Sequence, residues 1–194
     1  MIRLLVVVAA FSSVSGGLLA AIQSGTKERI EYQQLKFVKG PAIQLILEGC
    51  SNDPLVDRFK LTDGKEERNF FIGVFDGKPN IVAIESSGKG FGGDIGVIVA
   101  VNLEDDKIVG IGITTHSETP GVGSKAKTDP TFGAQFKGLS IKEPFEVKAD
   151  GGQVDAVTGA TVTSRGVCGA VVESAEIYMR LKTDIMEKVK AFKT

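Results

Sequence analysis

The sequence predicts an α+β domain, with an antiparallel sheet and a long C-terminal helix, preceded by one N-terminal transmembrane helix. Two pairs of β-like runs, 69–75 with 80–86 and 95–102 with 107–114, each flank a short polar turn. This arrangement indicates two consecutive hairpins. Residues from 164 to about 192 carry apolar side chains at helical spacing, which indicates an amphipathic helix. Strands followed by a packing helix are typical of an α+β domain.

The first element is an apolar segment, 2–22, in which Arg3 is the single charged residue. About 20 apolar residues in a helix span the roughly 30 Å of a bilayer's hydrocarbon core. A cleaved signal peptide has the same charged start, but this run is long for a signal core and no Ala-x-Ala site follows it. We therefore expect a retained single-pass anchor over residues 1–24. The short tail with Arg3 predicts a cytoplasmic N-terminus and a globular domain on the outer side of the inner membrane.

The rest of the chain is divided into a stalk or helical lead-in, 25–68, and a globular domain, 69–194. Helical turns are expected within 27–47, with a break at Gly40-Pro41. The charged run at 63–68 is typical of a solvated loop. The structured domain is therefore predicted to begin only at the first hairpin.

The composition excludes several function classes. The chain has 23 basic and 24 acidic residues, so it lacks the basic surface of a sequence-independent nucleic-acid binder. Two cysteines and one histidine are too few for an iron–sulfur cluster or a histidine-rich metal site. We expect no nucleic-acid partner and no metal ligands, and any redox chemistry would require an organic cofactor.

A hydroxyl-rich turn, 155–163, precedes the long helix. Its centre is formed by Gly159 and Ala160, which allow a ligand to approach the backbone closely. Backbone N–H groups at the start of a helix are unpaired and lie at the positive end of the helix dipole, so they suit a phosphate. Three threonines supply hydroxyls, one of which is a candidate attachment point: Thr158, Thr161 and Thr163. The alternative is a plain N-cap, in which Thr163 or Ser164 caps the helix without any ligand.

Two loops earlier in the chain carry further candidate residues. Residues 112–123 include Glu118 and Thr119, followed by a Pro-Gly pair that is a turn signal in its own right. Residues 88–94 have the G-x-G-x-x-G spacing of a dinucleotide-binding loop. They lead into a β-like run rather than a helix, which argues against that function and leaves an ordinary glycine-rich bend as an alternative.

Together these stretches resemble the covalently flavinylated FMN-binding domain family. Residues 155–163 match its D-x-x-[ST]-G-A-[ST]-x-T signature, and residues 88–94 resemble its G-[YF]-G-G-x-[IVL] turn. Residues 112–123 resemble the H-x-E-T-P-G-L-G loop that is found in the G subunit of the Rnf complex and in the C subunit of the sodium-pumping NADH:quinone reductase. The length of the chain suits the Rnf G subunit better than its longer counterpart.

The resemblance implies that a flavin transferase esterifies Thr163 with the phosphate of FMN. It places Asp155 in recognition by that transferase. The other residues that it places at the cofactor are Phe91, Glu118, Thr119, Gly121, Thr158, Gly159, Ala160 and Thr161. No side chain is expected to act as a general acid or base in electron transfer, so no catalytic residue is assigned. His116 standing alone is more typical of a structural histidine.

The function implied by the resemblance is that of an electron-carrying subunit of a membrane-bound, ion-translocating ferredoxin:NAD oxidoreductase. Its partners would be the other membrane and iron–sulfur subunits of the Rnf complex and the flavin transferase. Two alternatives stay open: a stand-alone extracytoplasmic flavoprotein that passes electrons to another reductase, and a non-redox membrane-anchored binding or assembly module. A Cys50–Cys168 disulfide is a further option if the domain lies outside the cytoplasm.

Overall fold

The computed structural model of the protein describes residues 2–64 and 66–192. Outside it lie Met1 of the predicted anchor, Lys65 of the charged run, and Lys193 and Thr194 at the end of the predicted domain. The chain divides into two compact units, of which the first ends at Phe37 and the second begins at Val38. The first unit is dominated by helix α1, Ile2–Gln33. The stretch Ile2–Lys27 has a mean hydropathy of 2.2 and is long and apolar enough to cross a membrane. This matches the predicted anchor, although the helix continues beyond residue 24.

The predicted break at Gly40-Pro41 is wrong. Helical structure continues through a π-helical segment, Gln34–Lys39, into helix α2, Gly40–Ile46. Pro41 lies in the first turn of α2. Pro41 follows the π-helical segment, in which the regular i→i−4 hydrogen-bond pattern is already interrupted, so a residue without an N–H is tolerated there.

Within the described residues, five strands form one antiparallel sheet in sequential order, which confirms the predicted α+β class. The two predicted hairpins are present as β2–β3 and β4–β5. At the β2–β3 turn, Asp76 and Gly77 have φ of 52° and 72°, as a two-residue type I′ turn requires. The strands are β1 Arg58–Asp63, β2 Glu66–Phe75, β3 Lys78–Lys89, β4 Asp94–Asn102 and β5 Lys107–Ile113.

Strand β1 lies outside the predicted domain. The sheet begins at Arg58, before the predicted domain start at residue 69. Asp63 and Glu66–Arg68, which the sequence placed in a solvated loop, pair within the β1–β2 hairpin. The Asp63 side chain is only 11% exposed and accepts two hydrogen bonds from Arg180, at 2.8 and 2.7 Å. The hydrogen bond from Arg180 lowers the pKa of Asp63. Asp63 is therefore paired in part with a residue 117 positions away, a contact that local sequence does not reveal.

Helices cover both faces of the sheet. The long C-terminal helix is α5, Thr161–Ala191. Two short helices precede it, α3 Lys125–Thr128 and α4 Pro130–Ala134. Helix α5 packs on β3 and β4, and α2 covers the opposite face near β5. As a result β4 is buried continuously from Ile95 to Val101 instead of alternating. On the α2 face, Gly110 and Gly112 let Ile46 lie directly on the strand, since a Cβ at either glycine would stand 3.1 or 2.8 Å from its side chain.

The start of α5 lies against the end of β3. A Cβ at Gly88 would collide with the backbone carbonyl of Gly166, and one at Gly166 would stand 2.7 Å from the Lys89 carbonyl oxygen. Glycine at both positions lets helix and strand approach backbone to backbone. This contact brings the turn that precedes α5 next to the glycine-rich turn that follows β3.

The far half of α5 is tied to the β4–β5 turn through Asp106, which has φ 56°. Its carboxylate accepts hydrogen bonds from Lys182 at 2.6 and 2.8 Å and from the Tyr178 hydroxyl at 2.6 Å, and Lys142 lies 2.8 Å away. Burial alone would raise the pKa of Asp106, but the bonds from Lys142, Lys182 and Tyr178 outweigh it and lower the pKa. The cluster therefore fixes the helix to the end of the domain away from the hydroxyl-rich turn at 155–163, called the threonine motif below.

Candidate functional site

The candidate site begins with the first turn of α5. The helix starts at Thr161 rather than at residue 164, and Ala160 at the N-cap position makes no side-chain capping bond. Thr163 is therefore the third helical residue and not a cap. The Ser164 hydroxyl accepts the Val157 N–H at 3.0 Å and donates to the Ala160 carbonyl at 3.0 Å. The plain N-cap interpretation of Thr163 and Ser164 is thus wrong, because both lie inside the helix.

The Thr163 hydroxyl is buried against Glu118. Thr163 is 2% and Glu118 is 6% exposed. The hydroxyl donates to Glu118 Oε2 at 2.5 Å, and Glu118 Oε1 accepts the Gly92 N–H at 2.8 Å. One carboxylate therefore joins the threonine motif, the 112–123 loop and the glycine-rich turn, which are far apart in sequence.

Three glycines make room for this carboxylate. A Cβ at Gly123 would stand 2.6 Å from Glu118 Oε2 and 2.8 Å from the Thr163 hydroxyl oxygen. A Cβ at Gly90 would meet Glu118 Oε1, and one at Gly92 would meet a backbone carbonyl of the 112–123 loop. Any side chain at these positions would displace the Glu118 carboxylate or the loops around it.

The other predicted residues of the 112–123 loop form its exposed rim. The Thr119 carbonyl accepts the N–H groups of Val122 and Ser124, each at 3.2 Å, and the Gly121 N–H donates to the Ser124 hydroxyl at 2.8 Å. Gly121 has φ 74°, which favours glycine. The His116 ring accepts the Glu118 N–H at 3.3 Å through Nδ1, so the histidine shapes the loop from within.

The predicted residues of the threonine motif other than Thr163 differ in exposure. Thr158 and Gly159 are exposed, and Gly159 has φ 77° at the tip of the turn. Thr161 is half-buried, and Ala160 is buried beneath the turn. Asp155 stands apart: its carboxylate is exposed and pairs with Lys148 at 2.7 Å. The structure thus places Asp155 where another protein can reach it.

The donor groups at this site suit a phosphate. The backbone N–H groups of Thr161, Val162 and Thr163 have no acceptor within residues 2–64 and 66–192. They lie at the positive end of a 31-residue helix. The exposed Thr158 hydroxyl stands on the turn that leads into this end. Groups of this kind are the donors that commonly bind a phosphate at a helix N-terminus.

Exposed apolar side chains beside these donors suit a planar aromatic ring. Phe91 is 76% exposed and is the neighbour of Gly92, whose N–H is bound to Glu118. Val122 and Val162 are also exposed, and a Cβ at Gly159 would stand 3.8 Å from the Val122 side chain. These two valines lie outside the set of residues predicted from the sequence. Their position in the sequence could have indicated them, because each is an apolar residue directly beside a predicted site residue: Val122 follows Gly121, and Val162 lies between Thr161 and Thr163.

Neither cysteine takes part in the site. Cys50 and Cys168 are both free thiols, so the structure does not contain the disulfide between them. Cys168 is buried on the core side of α5, and burial raises the pKa of its thiol to about 11. A thiol that resists ionisation is a poor nucleophile and a poor redox group.

Comparison with known proteins identifies the family. The FMN-binding domain family matches residues 90–176, from the glycine-rich turn into α5. The G subunit of the ion-translocating oxidoreductase complex of Cereibacter sphaeroides is 31% identical over 185 residues, which cover 91% of this chain and 83% of that protein. The chain belongs to the family of ion-translocating oxidoreductase complex G subunits. The corresponding protein of Shewanella oneidensis is 29% identical over 97% of this chain and 94% of its own length. The family resemblance predicted from the three motifs is thereby confirmed.

A solved structure extends the similarity to a second complex. The crystal structure of the C subunit of Na⁺-translocating NADH-quinone reductase from Parabacteroides distasonis matches with a TM-score of 0.53 and 27% identity. The match covers 69% of this chain and 72% of that one. The two proteins thus have a similar fold over this part of the chain.

Proposed function

We propose that the chain is an electron-carrying flavoprotein subunit of a membrane-bound, ion-translocating oxidoreductase complex, with FMN esterified to Thr163. The observation that carries this proposal is the position of Thr163. Its hydroxyl lies in the uncapped first turn of α5, next to three N–H groups without acceptors among the described residues, in a chain of the G subunit family. A phosphoester at this hydroxyl would place its negative charge at the positive end of the helix.

Each residue of the site has a role in this proposal. The N–H groups of the first turn of α5 and the hydroxyls of Thr158 and Thr161 would hold the phosphate. Phe91 would lie against the isoalloxazine ring, with Glu118 and Thr119 as polar groups of the same pocket. When bound, FMN supplies one-electron and two-electron transfer, which the side chains of this chain do not offer. The protein would hold the ring at a fixed place and exclude water from the Thr163 linkage.

The membrane arrangement follows from helix α1. The apolar stretch Ile2–Lys27 would anchor the subunit, and the short N-terminal tail with Arg3 would stay in the cytoplasm. The FMN domain would then lie on the outer side of the inner membrane, where a dissociated cofactor would be lost and a covalent linkage prevents that loss. Because Arg3 is the single charge within 2–22, ion passage is assigned to other subunits. Electron flow between ferredoxin and NAD is part of the same proposal.

The test uses the full chain, co-expressed with a flavin transferase and purified in detergent. A fluorescent band on a denaturing gel would establish covalent flavin, and a flavin absorbance that dithionite bleaches and air restores would establish redox activity. Thr163→Ser, which retains a hydroxyl, is the matched control and is expected to keep some covalent flavin. A colourless parent chain under these conditions would leave the non-redox assembly module as the better interpretation.

A second experiment separates the complex from a stand-alone carrier. The tagged chain is solubilised in mild detergent from the membranes of its own cells and then affinity-purified. We expect multi-span subunits and an iron–sulfur subunit to co-purify in fixed proportion. Recovery of the flavin-loaded chain alone, under conditions that keep other membrane complexes intact, would favour the stand-alone flavoprotein.

A further inference from the structure

The contact between Thr163 and Glu118 has a chemical consequence that goes beyond cofactor binding. The Thr163 hydroxyl oxygen and Glu118 Oε2 are 2.5 Å apart, and the hydroxyl is the donor because an ionised carboxylate can only accept. Both side chains are more than nine-tenths buried. The atom that would be esterified therefore already donates its proton to a carboxylate of the same chain.

We propose that Glu118 is the base that takes the Thr163 proton during attachment of FMN, so that this chain supplies part of the chemistry of its own modification. The proposal rests on the proposed function, because it requires FMN to be attached at Thr163. It assigns Glu118 a role that differs from a contact with the flavin ring and from electron transfer.

The step balances with an activated flavin nucleotide as co-reactant, in which the FMN phosphate is joined to a second phosphate through an anhydride. The bond between the Thr163 oxygen and its hydrogen breaks, and the proton moves to Glu118 Oε2. A bond forms between the Thr163 oxygen and the FMN phosphorus. The anhydride bond breaks, and the second phosphate leaves with the electron pair. The chain gains the mass of FMN less one water.

The number of negative charges beside Thr163 supports the assignment of Glu118 as the base. Before the flavin nucleotide binds, Glu118 is the one acidic side chain in hydrogen-bond contact with Thr163 among the described residues. The phosphoester formed at Thr163 brings a negative charge of its own. Two like charges in a place with so little water would repel each other strongly. Transfer of the proton to Glu118 leaves one negative charge, and the helix N-terminus faces that charge.

The carboxylate is also held in place for this transfer. Its second oxygen is fixed by the Gly92 N–H at 2.8 Å, and the absence of a side chain at Gly90 and Gly123 leaves room for the two carboxylate oxygens. A base that is already within hydrogen-bond distance of its proton needs no rearrangement of its own. The competing explanation is that Glu118 only links the three loops.

Two substitutions distinguish these explanations. Glu118→Gln keeps the size of the side chain and an acceptor for the Gly92 N–H, but it cannot take up a proton. Glu118→Asp keeps a base but shortens the side chain. Glu104→Gln changes an exposed glutamate at the β4–β5 turn and serves as the matched control. A purely linking role predicts that Gln substitutes well and Asp poorly, whereas a base predicts the opposite order.

The measurement is the rate of FMN attachment to the flavin-free full chain in detergent. Excess purified transferase and activated flavin nucleotide are added, and intact mass is followed over time. For Glu118→Gln we expect a rate roughly 10²–10⁴-fold lower, the range that general bases contribute. Glu118→Asp should fall between Gln and the parent, and Glu104→Gln should match the parent. Thermal unfolding of each flavin-free variant is recorded in parallel.

The outcomes separate this inference from the proposed function. A parent chain that is loaded at Thr163, with Glu118→Gln loaded at the same rate, would overturn the inference and leave the flavoprotein function intact. A parent chain that is never loaded would overturn both. If Glu118→Gln unfolds, Glu118→Ala with and without added formate replaces it: restoration of the rate by formate supports the base, and no restoration in a folded variant overturns it.

Discussion

Replacing Thr163 by valine tests the site and its packing at once. Valine keeps the size and the branching at Cβ but lacks the hydroxyl, so covalent flavin should disappear completely. The same change leaves Glu118 Oε2, now without the Thr163 donor at 2.5 Å, in a side chain that is 6% exposed. An unsatisfied buried acceptor costs about 1–3 kcal/mol of the free energy of unfolding. Threonine and valine have similar helix propensities, so α5 itself should be unaffected.

For a domain of this size each kcal/mol lowers the melting temperature by about 2–4 °C. The flavin-free Thr163→Val chain should therefore melt roughly 2–12 °C below the flavin-free parent. Thr183→Val, an exposed threonine on the same helix, is the control and should change neither quantity. In-gel flavin fluorescence and thermal unfolding by circular dichroism measure the two effects. Stoichiometric covalent flavin in Thr163→Val would refute the attachment site, and an unchanged melting temperature would refute the buried hydrogen bond.

Three further predictions concern the fold. Gly88→Ala places a methyl group against the backbone of α5 and should cost about 1–3 kcal/mol in chemical unfolding, whereas Gly169→Ala, with open space around it, should be neutral or stabilise by up to about 1 kcal/mol. The lowered pKa of Asp106 gives stability that is present above the unfolded value near pH 4 and is lost as pH falls towards the folded value. The melting temperatures of Asp106→Asn and parent should therefore differ at pH 7 and converge in acid. Iodoacetamide at pH 8 should label Cys50 before the buried Cys168 in the native chain, and equal labelling would contradict the packing of α5.

Much of the fold can be predicted from local sequence patterns. The β2–β3 turn carries Asp76-Gly77, a pair suited to positive φ, between two apolar runs, and the hairpin follows. Strand β1 is harder to recognise because its polar–apolar alternation covers only Arg58–Leu61 and three of its six residues are charged. It pairs with the adjacent strand β2, and the Asp63–Arg180 ion pair, which joins residues 117 positions apart, ties it to α5.

The site, too, is predicted only in part from local sequence. Thr163 and Glu118 are selected by short motifs, but their contact joins residues 45 positions apart and depends on the close approach of α5 to β3. Sequence pattern places the start of α5 three residues late, because Thr163 and Ser164 resemble capping residues. The capping position instead holds Ala160, whose lack of a polar side chain leaves the first N–H groups free for a ligand.

The most direct test of flavin attachment is the intact mass of the full chain after co-expression with a flavin transferase, followed by peptide mapping. We expect an added mass equal to FMN less water, located on Thr163 and lost in Thr163→Val. An unmodified chain, or an FMN adduct mapped to Thr158 or Thr161, would contradict the assignment of Thr163 as the residue that carries the flavin.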